Sequence, residues 1–395
     1  MTRARVSLIA LSAGAALASS ALAQVAPAPA QQRPAPLFIE QAPPQVATLY
    51  ATGQQILTQW EQDWRPMCGS ELTHFGLNEL IASAKSHELE FASGAPIRVV
   101  DFGRHEGGQG EQDPAGGLDI VFILAASVPP AAVPAFAFVE SYLEAIFVDP
   151  VTVTINVSFA VLGDGVLGSA SSFRAGASWT NSRAGLVNGM DAGDVIQTYL
   201  PTGSTIPVRY NGNSSTVTRE DRVFWTRACY NTTIGYVAGD AANMQFNSNF
   251  NWDYNPAGGV TGYSFQDVVA HEVGHTLGFS SGADYRTNDM DGLDIFRFQR
   301  TDGLSDFNPD TYGEFQVCPR TVDFNTPNDN ANSDTITSEY RMSDGNPYQC
   351  SHFREQTANI GLMDPALGAG KSNWPYFYKP SDLEMFDAIG WSPVN

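Results

Sequence analysis

The sequence predicts an α+β fold with a mixed sheet, and three neighbouring segments lead to it. Leu118 to Leu124 (LDIVFIL) is a short apolar run of buried-strand type. Val151 to Val161 (VTVTINVSFAV) alternates and is β-branched, which marks a second strand. Between them, Pro134 to Phe147 places Phe138, Tyr142 and Ile146 at i, i+4 and i+8, the spacing of a helix stripe. Strand, helix and strand in that order build a sheet covered by helices.

The chain can bury a large core. It has 395 residues, of which 43% are hydrophobic and 11% aromatic, so disorder throughout is excluded. Lys and Arg number 21 against 42 Asp and Glu, a net charge of −21. Such a surface repels phosphate backbones and excludes nucleic acid as the natural partner. Solubility explains the acidity more simply than cation binding does.

The first 23 residues read as a signal peptide. Arg3 and Arg5 form a basic start, Val6 to Ala18 an apolar run too short for a membrane span, and Ala21-Leu22-Ala23 a cleavage site. A retained anchor helix is the rival reading. No later stretch is long and apolar enough to span a bilayer, so the mature chain is expected to be secreted or periplasmic, with no membrane attachment after cleavage. Residues 24–44 are rich in Pro and Ala and read as a linker. Residues 45–95 read as a helical segment, an accessory unit or a pro-segment. Val46, Leu49, Tyr50, Leu57, Trp60 and Trp64 supply its first helical stripe, and Glu71 to Glu90 its second helix. Residues 96–395 form the main domain. About 283–350 it is rich in Asp, Asn, Gly and Thr, a loop-rich insertion with short strands, too long to be structureless.

Four cysteines, Cys68, Cys229, Cys318 and Cys350, allow three disulfide connectivities in an exported chain. The expected pairs are Cys318–Cys350 and Cys68–Cys229. The first would close a loop of about 30 residues and steady a polar insertion that has little apolar sequence of its own. The second follows by elimination.

The chemistry concentrates in Ser264 to Ser281 (SFQDVVAHEVGHTLGFSS). Ser264 and Asp267 form a helix-start signature, and Gly278 is placed to end the helix. Inside lies His271-Glu272-Val273-Gly274-His275. Residues four apart on a helix lie one above the other, so both imidazoles can reach one metal ion. Glu272 sits about 100° from His271, beside the metal rather than on it. That is the place for a carboxylate that takes a proton from an activated water. Histidines used only for packing are the bland alternative. It would leave unexplained why two of only six histidines flank this Glu, and why Gly274 interrupts the helix at a cost of roughly 1 kcal/mol.

A catalytic zinc takes three protein ligands and keeps one position open. His74 and His87 fall in the N-terminal helical segment, and His105 in a Gly-rich loop; surface roles suit all three. His352, in YQCSHFREQTANIGLMDP, has the best context for the third ligand, with a surface histidine as the alternative. Asp284 could replace it. Asp284, Asp289, Asp291 and Asp294 could also bind Ca²⁺ through oxygen, although solvated loop acids are the simpler reading.

HEVGHTLGF resembles the H-E-x-x-H-x-x-G signature of the metzincin zinc peptidases. Those place a third His ten residues after the first, where this chain has Ser281. The leishmanolysin-like branch differs in the same way and brings that His from far downstream. This chain has His352-Phe353-Arg354 followed by Leu362-Met363-Asp364-Pro365, with Phe353 in place of the usual Trp. The resemblance covers about residues 240–391. It implies a metzincin-like catalytic domain with a twisted mixed sheet, an active-site helix and an insertion before the third ligand. It implies zinc on His271, His275 and His352, Glu272 as general base and Met363 in a Met-turn. It also implies an edge strand for a peptide substrate, assigned to Asn243 to Phe250 with Asn243, Gln245 and Asn247 along it. Cys68 as an inhibitory thiolate on zinc is the weaker of its two roles, a disulfide being simpler. Ser381-Asp382-Leu383-Glu384 opens a last helix that ends at Gly390 and carries core residues Leu383, Phe386 and Ile389. The implied activity is that of a secreted zinc endopeptidase acting on protein or peptide. A secreted adhesion module that binds protein without cleaving it is the alternative, and Glu272 discriminates against it.

Overall fold

In the computed structural model, the described residues belong to one compact unit. The structure describes 66–67 and 98–100 as backbone strands, and then 116–191, 194–210, 215–285, 288–298, 309, 311–322, 342–343, 348–354 and 360–394. The signal peptide, the linker, the two N-terminal helices, His74, His87, His105 and Cys68 lie outside the described residues.

The main sheet has six strands. They are β1 (Pro66–Met67), β2 (Arg98–Val100), β3 (Asp119–Leu124), β4 (Thr152–Ala160), β5 (Gly168–Ser172) and, later in the chain, β10 (Ala242–Asn247). Their order across the sheet is β1-β5-β10-β4-β3-β2. Strands β3, β4 and β10 are parallel neighbours, while β5 runs antiparallel to β10. The sheet is therefore mixed, as expected from the sequence. Buried positions in β3 and β4 alternate because successive side chains face opposite ways.

Helix α1 (Val133–Ile146) connects β3 to β4, but its buried face is not the predicted stripe. Ala135, Phe136, Val139 and Leu143 enter the core. Phe138 is 37% exposed, and it and Tyr142 meet Phe377 near the C-terminus instead. The helix has two apolar faces, and the sequence reading found the outer one.

Between β5 and β10 the chain adds β6 (Arg174–Ser178), α2 (Trp179–Asn188), β7 (Ile206–Arg209), β8 (Thr218–Glu220), β9 (Arg222–Thr226) and α3 (Arg227–Thr233). Strands β6 and β9 pair antiparallel, as do β7 and β8. After β10 come β11 (Trp252–Asp253), β12 (Tyr263–Ser264) and the helix α4 (Phe265–Thr276). Phe265 fastens α4 to the sheet: its ring lies 4.8 Å from Phe246, 5.3 Å from Phe136 and 5.5 Å from Phe159. Such aromatic contacts contribute beyond the area they bury.

The insertion is structured where it is described. It holds 3-10 turns at Gly282–Tyr285 and Gly292–Phe296, helix α5 (Tyr312–Val317) and strand β13 (Arg320–Thr321), which joins β7 in parallel. The last helix, α6 (Pro380–Ala388), buries Met385, Phe386 and Ala388. Ile389 is buried beyond its end and Leu383 is only partly covered. Among the described residues no helix is long and apolar enough to cross a membrane.

Two expectations are overturned here. The strand Asn243 to Phe250 is not at an edge: β10 lies inside the sheet, between β4 and β5. Its polar side chains are spent inside the fold. Asn243 accepts from Asn156, Gln245 donates to Ser158, and Asn247 donates to the carbonyl of Val166. The strand next outward is β5, whose sequence GSASS has no apolar periodicity to reveal it. The small residues are there because α4 lies close: a Cβ on Gly168 would come within 3.0 Å of Val268 and Glu272.

The disulfides are the second correction. Among the described residues no disulfide forms, and Cys229, Cys318 and Cys350 are buried thiols. The Cys318 carbonyl accepts from Arg320, whose guanidinium also bonds the carbonyls of Ile295 and Phe315. Cys350 is held elsewhere, by Asp284 and Arg297. Cys229 donates to the carbonyl of Ile389, 3.4 Å away, and packs against Gly278.

Candidate metal centre

Helix α4 starts as the sequence indicates. The Ser264 hydroxyl accepts from the Asp267 amide, and Gly278 ends the run with φ of +118°, a conformation glycine adopts without strain. Asp267 does more than cap. It takes the hydroxyls of Ser264 and Ser372 and the amide of Asn373, so it ties the segment after Met363 to the helix.

His271 and His275 occupy the same face of α4, with Nε2 atoms 3.1 Å apart. His352 arrives from the far side of the insertion, its Nε2 3.3 Å from that of His271. The ligand atoms of these three residues lie within 4.8 Å of one another, and all three side chains are buried. Asp284 does not join them.

Each ring has a backbone carbonyl on its other nitrogen. Nδ1 of His271 lies 2.8 Å from the Leu362 carbonyl, Nδ1 of His275 2.7 Å from that of Phe279, and Nδ1 of His352 3.3 Å from that of Gln349. A carbonyl only accepts, so Nδ1 carries the proton and Nε2 of a neutral ring presents a lone pair. Three lone pairs then converge on one point, an arrangement that a cation relieves. Burial lowers the pKa of all three rings, that of His271 to about 4. For His275 the neighbouring His271 and His352 add to the lowering. Neutral, correctly oriented imidazoles are what a divalent metal requires.

Glu272 stands beside this point. It is 1% exposed, and neither carboxylate oxygen has a hydrogen bond to the protein. Burial raises its pKa well above the ordinary value; the Ala170 amide of β5 lies near enough to oppose this weakly, but outside hydrogen-bond geometry. A buried carboxyl with both oxygens unspent fits a group that handles a water at the metal.

The floor is Met363, fully buried, with its sulfur against Gly274. A Cβ at 274 would come within 2.5 Å of that sulfur, which accounts for the glycine inside the motif. Asp382 at the start of α6 holds the turn from below. Its carboxylate accepts from the amides of Leu362 (2.7 Å), Met363 (3.0 Å) and Lys379 (2.8 Å). Leu362 then offers its carbonyl to His271. Asp382 thus steadies His271 through one intervening residue, a role its sequence position disclosed only as a helix cap.

Asp291 and Asp294 of the acidic cluster after α4 are spent on protein partners. Asp291 takes Ser280 and pairs with Arg174, while Asp294 takes Ser281, the Gly282 amide and Arg297. Among the described residues the three histidines are the group of three or more side chains placed to share an ion.

A pocket opens beside Glu272 and His271. It is walled by Val268, Leu362, Ala366 and Leu367, with Asp364 and Asn373 as polar members. No family model, curated protein or solved structure matches this chain.

Proposed function

We infer that this chain is a secreted zinc endopeptidase of metzincin type, resembling the leishmanolysin-like branch. One observation carries the reading. Three imidazole lone pairs converge beside a buried glutamate whose oxygens have no other partner. Three histidines and an open position form the donor set of a catalytic zinc. His271, His275 and His352 would hold the metal. When bound, zinc supplies Lewis acidity toward a water and a substrate carbonyl.

The chain's own residues supply the rest. Glu272 takes a proton from the attacking water and delivers it to the leaving amine nitrogen. The extended peptide would lie along β5, next to Glu272. In this structure β5 already accepts an antiparallel strand there, with Pro66 opposite Ser171 and Met67 opposite Ala170. A peptide backbone would take the same hydrogen bonds by strand addition, in place of Pro66–Met67. The pocket walled by Val268, Leu362, Ala366 and Leu367 would receive one side chain of that peptide.

The test is metal analysis together with a peptide-library cleavage assay on wild type and Glu272→Gln. One zinc per chain and cleavage lost in the variant are expected. A protein that binds no zinc, or a variant that cleaves as well as wild type, overturns the reading.

A further inference from the structure

The segment carrying His352 is gripped from both sides by charged residues at the beginning of the insertion. Asp284 accepts from the amide of Cys350 at 2.5 Å through Oδ1 and from that of Ser351 at 2.9 Å through Oδ2. Arg297 donates to the carbonyl of Cys350 at 2.7 Å through Nη1 and to that of Ser343 at 2.9 Å through Nη2. Ser343 in turn donates its amide to the carbonyl of His352, 2.9 Å away. The Phe353 amide reaches the carbonyl of Met363 at 3.0 Å. A run of backbone groups on both sides of the ligand is therefore fixed.

The grip is anchored to the helix that carries the other two ligands. Arg297 is fully buried and pairs with Asp294 at 3.4 Å. Asp294 accepts from the Ser281 hydroxyl at 2.6 Å and from the Gly282 amide at 2.8 Å. Ser281 and Gly282 lie just past the turn that ends α4, after Leu277, Gly278, Phe279 and Ser280. The connection runs from α4 through Asp294 and Arg297 to Cys350, and from the turn at 282–285 through Asp284 to Ser351.

We propose that Asp284 and Arg297 are positioning residues for the metal centre. They preset His352 against the helix pair, the task that the sequence suggests for a Cys318–Cys350 bridge. A carboxylate binding two successive amides and a planar guanidinium binding two carbonyls each constrain direction as well as distance. Outer groups of this kind are typically worth 10–100-fold in metal affinity. The inference rests on the three-histidine metal reading above.

The experiment is a double-mutant cycle on zinc affinity in the full chain, read by competition with a chromogenic chelator. Arg297→Lys keeps the charge but cannot span two carbonyls; Asp284→Asn keeps the shape but turns one acceptor into a donor. Each variant is expected to weaken zinc binding about 10–100-fold. Combined with His352→Ala, either should add little, because the ligand it positions is already gone. With Co²⁺ in place of zinc, each single variant should shift the visible absorption toward that of His352→Ala. Full additivity with His352→Ala, or an unchanged Co²⁺ spectrum, overturns the proposal and leaves Asp284 and Arg297 as fold-stabilising only. Wild type that binds neither metal overturns the metal reading instead. Should Arg297→Lys not fold, Asp284→Asn and Ser343→Pro, which removes the amide bonded to His352, carry the same cycle.

Discussion

At the residue scale, the proposed function divides the work: Glu272 would move the proton and the three histidines would hold the metal. Glu272→Gln removes the group that moves the proton and leaves every imidazole in place. Hydrolysis is expected to fall by roughly 10²–10⁴-fold, with zinc content near wild type, as measured by turnover and metal analysis side by side. Loss of zinc in that variant would place Glu272 among the ligands. The histidines make a second prediction. Protons and a metal compete for the same Nε2 lone pair, and an ordinary imidazole begins to lose its metal near pH 6.5. Here burial holds His271 down to about 4, and His275 and His352 well below the ordinary value. Between about 4 and 6.5 the unfolded chain binds the extra protons, so the histidines' contribution to stability rises with pH across that window. Zinc affinity should therefore stay nearly flat as pH falls through 6.5 and decline only toward about 4. Isothermal titration at stepped pH checks this, and a decline that starts at 6.5 contradicts it. These residues were legible because H-E-x-x-H encodes its geometry in helix spacing. His352 was legible from its context beside Cys350 and before the Leu362-Met363 turn, and from resemblance, since no spacing rule connects residues so far apart.

At the scale of elements, α4 and the turn beneath it fit one another at Gly274. Gly274→Ala gains about 1 kcal/mol in helix propensity. It also drives a methyl into the Met363 sulfur, an overpacking that costs about 1–3 kcal/mol. A net loss of stability is expected, seen as a lower melting temperature of the metal-free protein. Met363→Ala should relieve part of it, and simple additivity of the two changes would remove the contact from the explanation. The ends of α4 were readable because Ser264 and Gly278 act locally. Strand β5 was not, because Gly, Ser and Ala at 168–172 are chosen for the close approach of α4, and that fit has no signature along the chain. Helix α1 was legible but not what each face meets: Phe138 and Tyr142 are covered by the C-terminal segment, while Phe136, Val139 and Leu143 enter the core.

At the scale of the whole molecule, the three described cysteines are buried apart from one another, and burial pushes the Cys229 thiol up to about 12. Denaturing the protein without reductant should make Cys229, Cys318 and Cys350 available to an alkylating reagent, and reductant should leave the melting temperature unchanged. A Cys318–Cys350 peptide in a non-reducing digest would show otherwise. Cysteine count suggested covalent bracing because it cannot register a buried Asp or Arg that braces by hydrogen bonds. The distance along the chain between His275 and His352 has a consequence for how the protein is made. During synthesis the two helix histidines emerge first, and the third follows only after the insertion. Bringing the ends of a segment of about 75 residues together costs roughly 4 kcal/mol in chain entropy. On the proposed metal reading, complete coordination is thus a late event in folding. An ion that meets the early chain finds a two-histidine perch, weak enough for ions to exchange, and a tight hold begins only when the last segment closes over it.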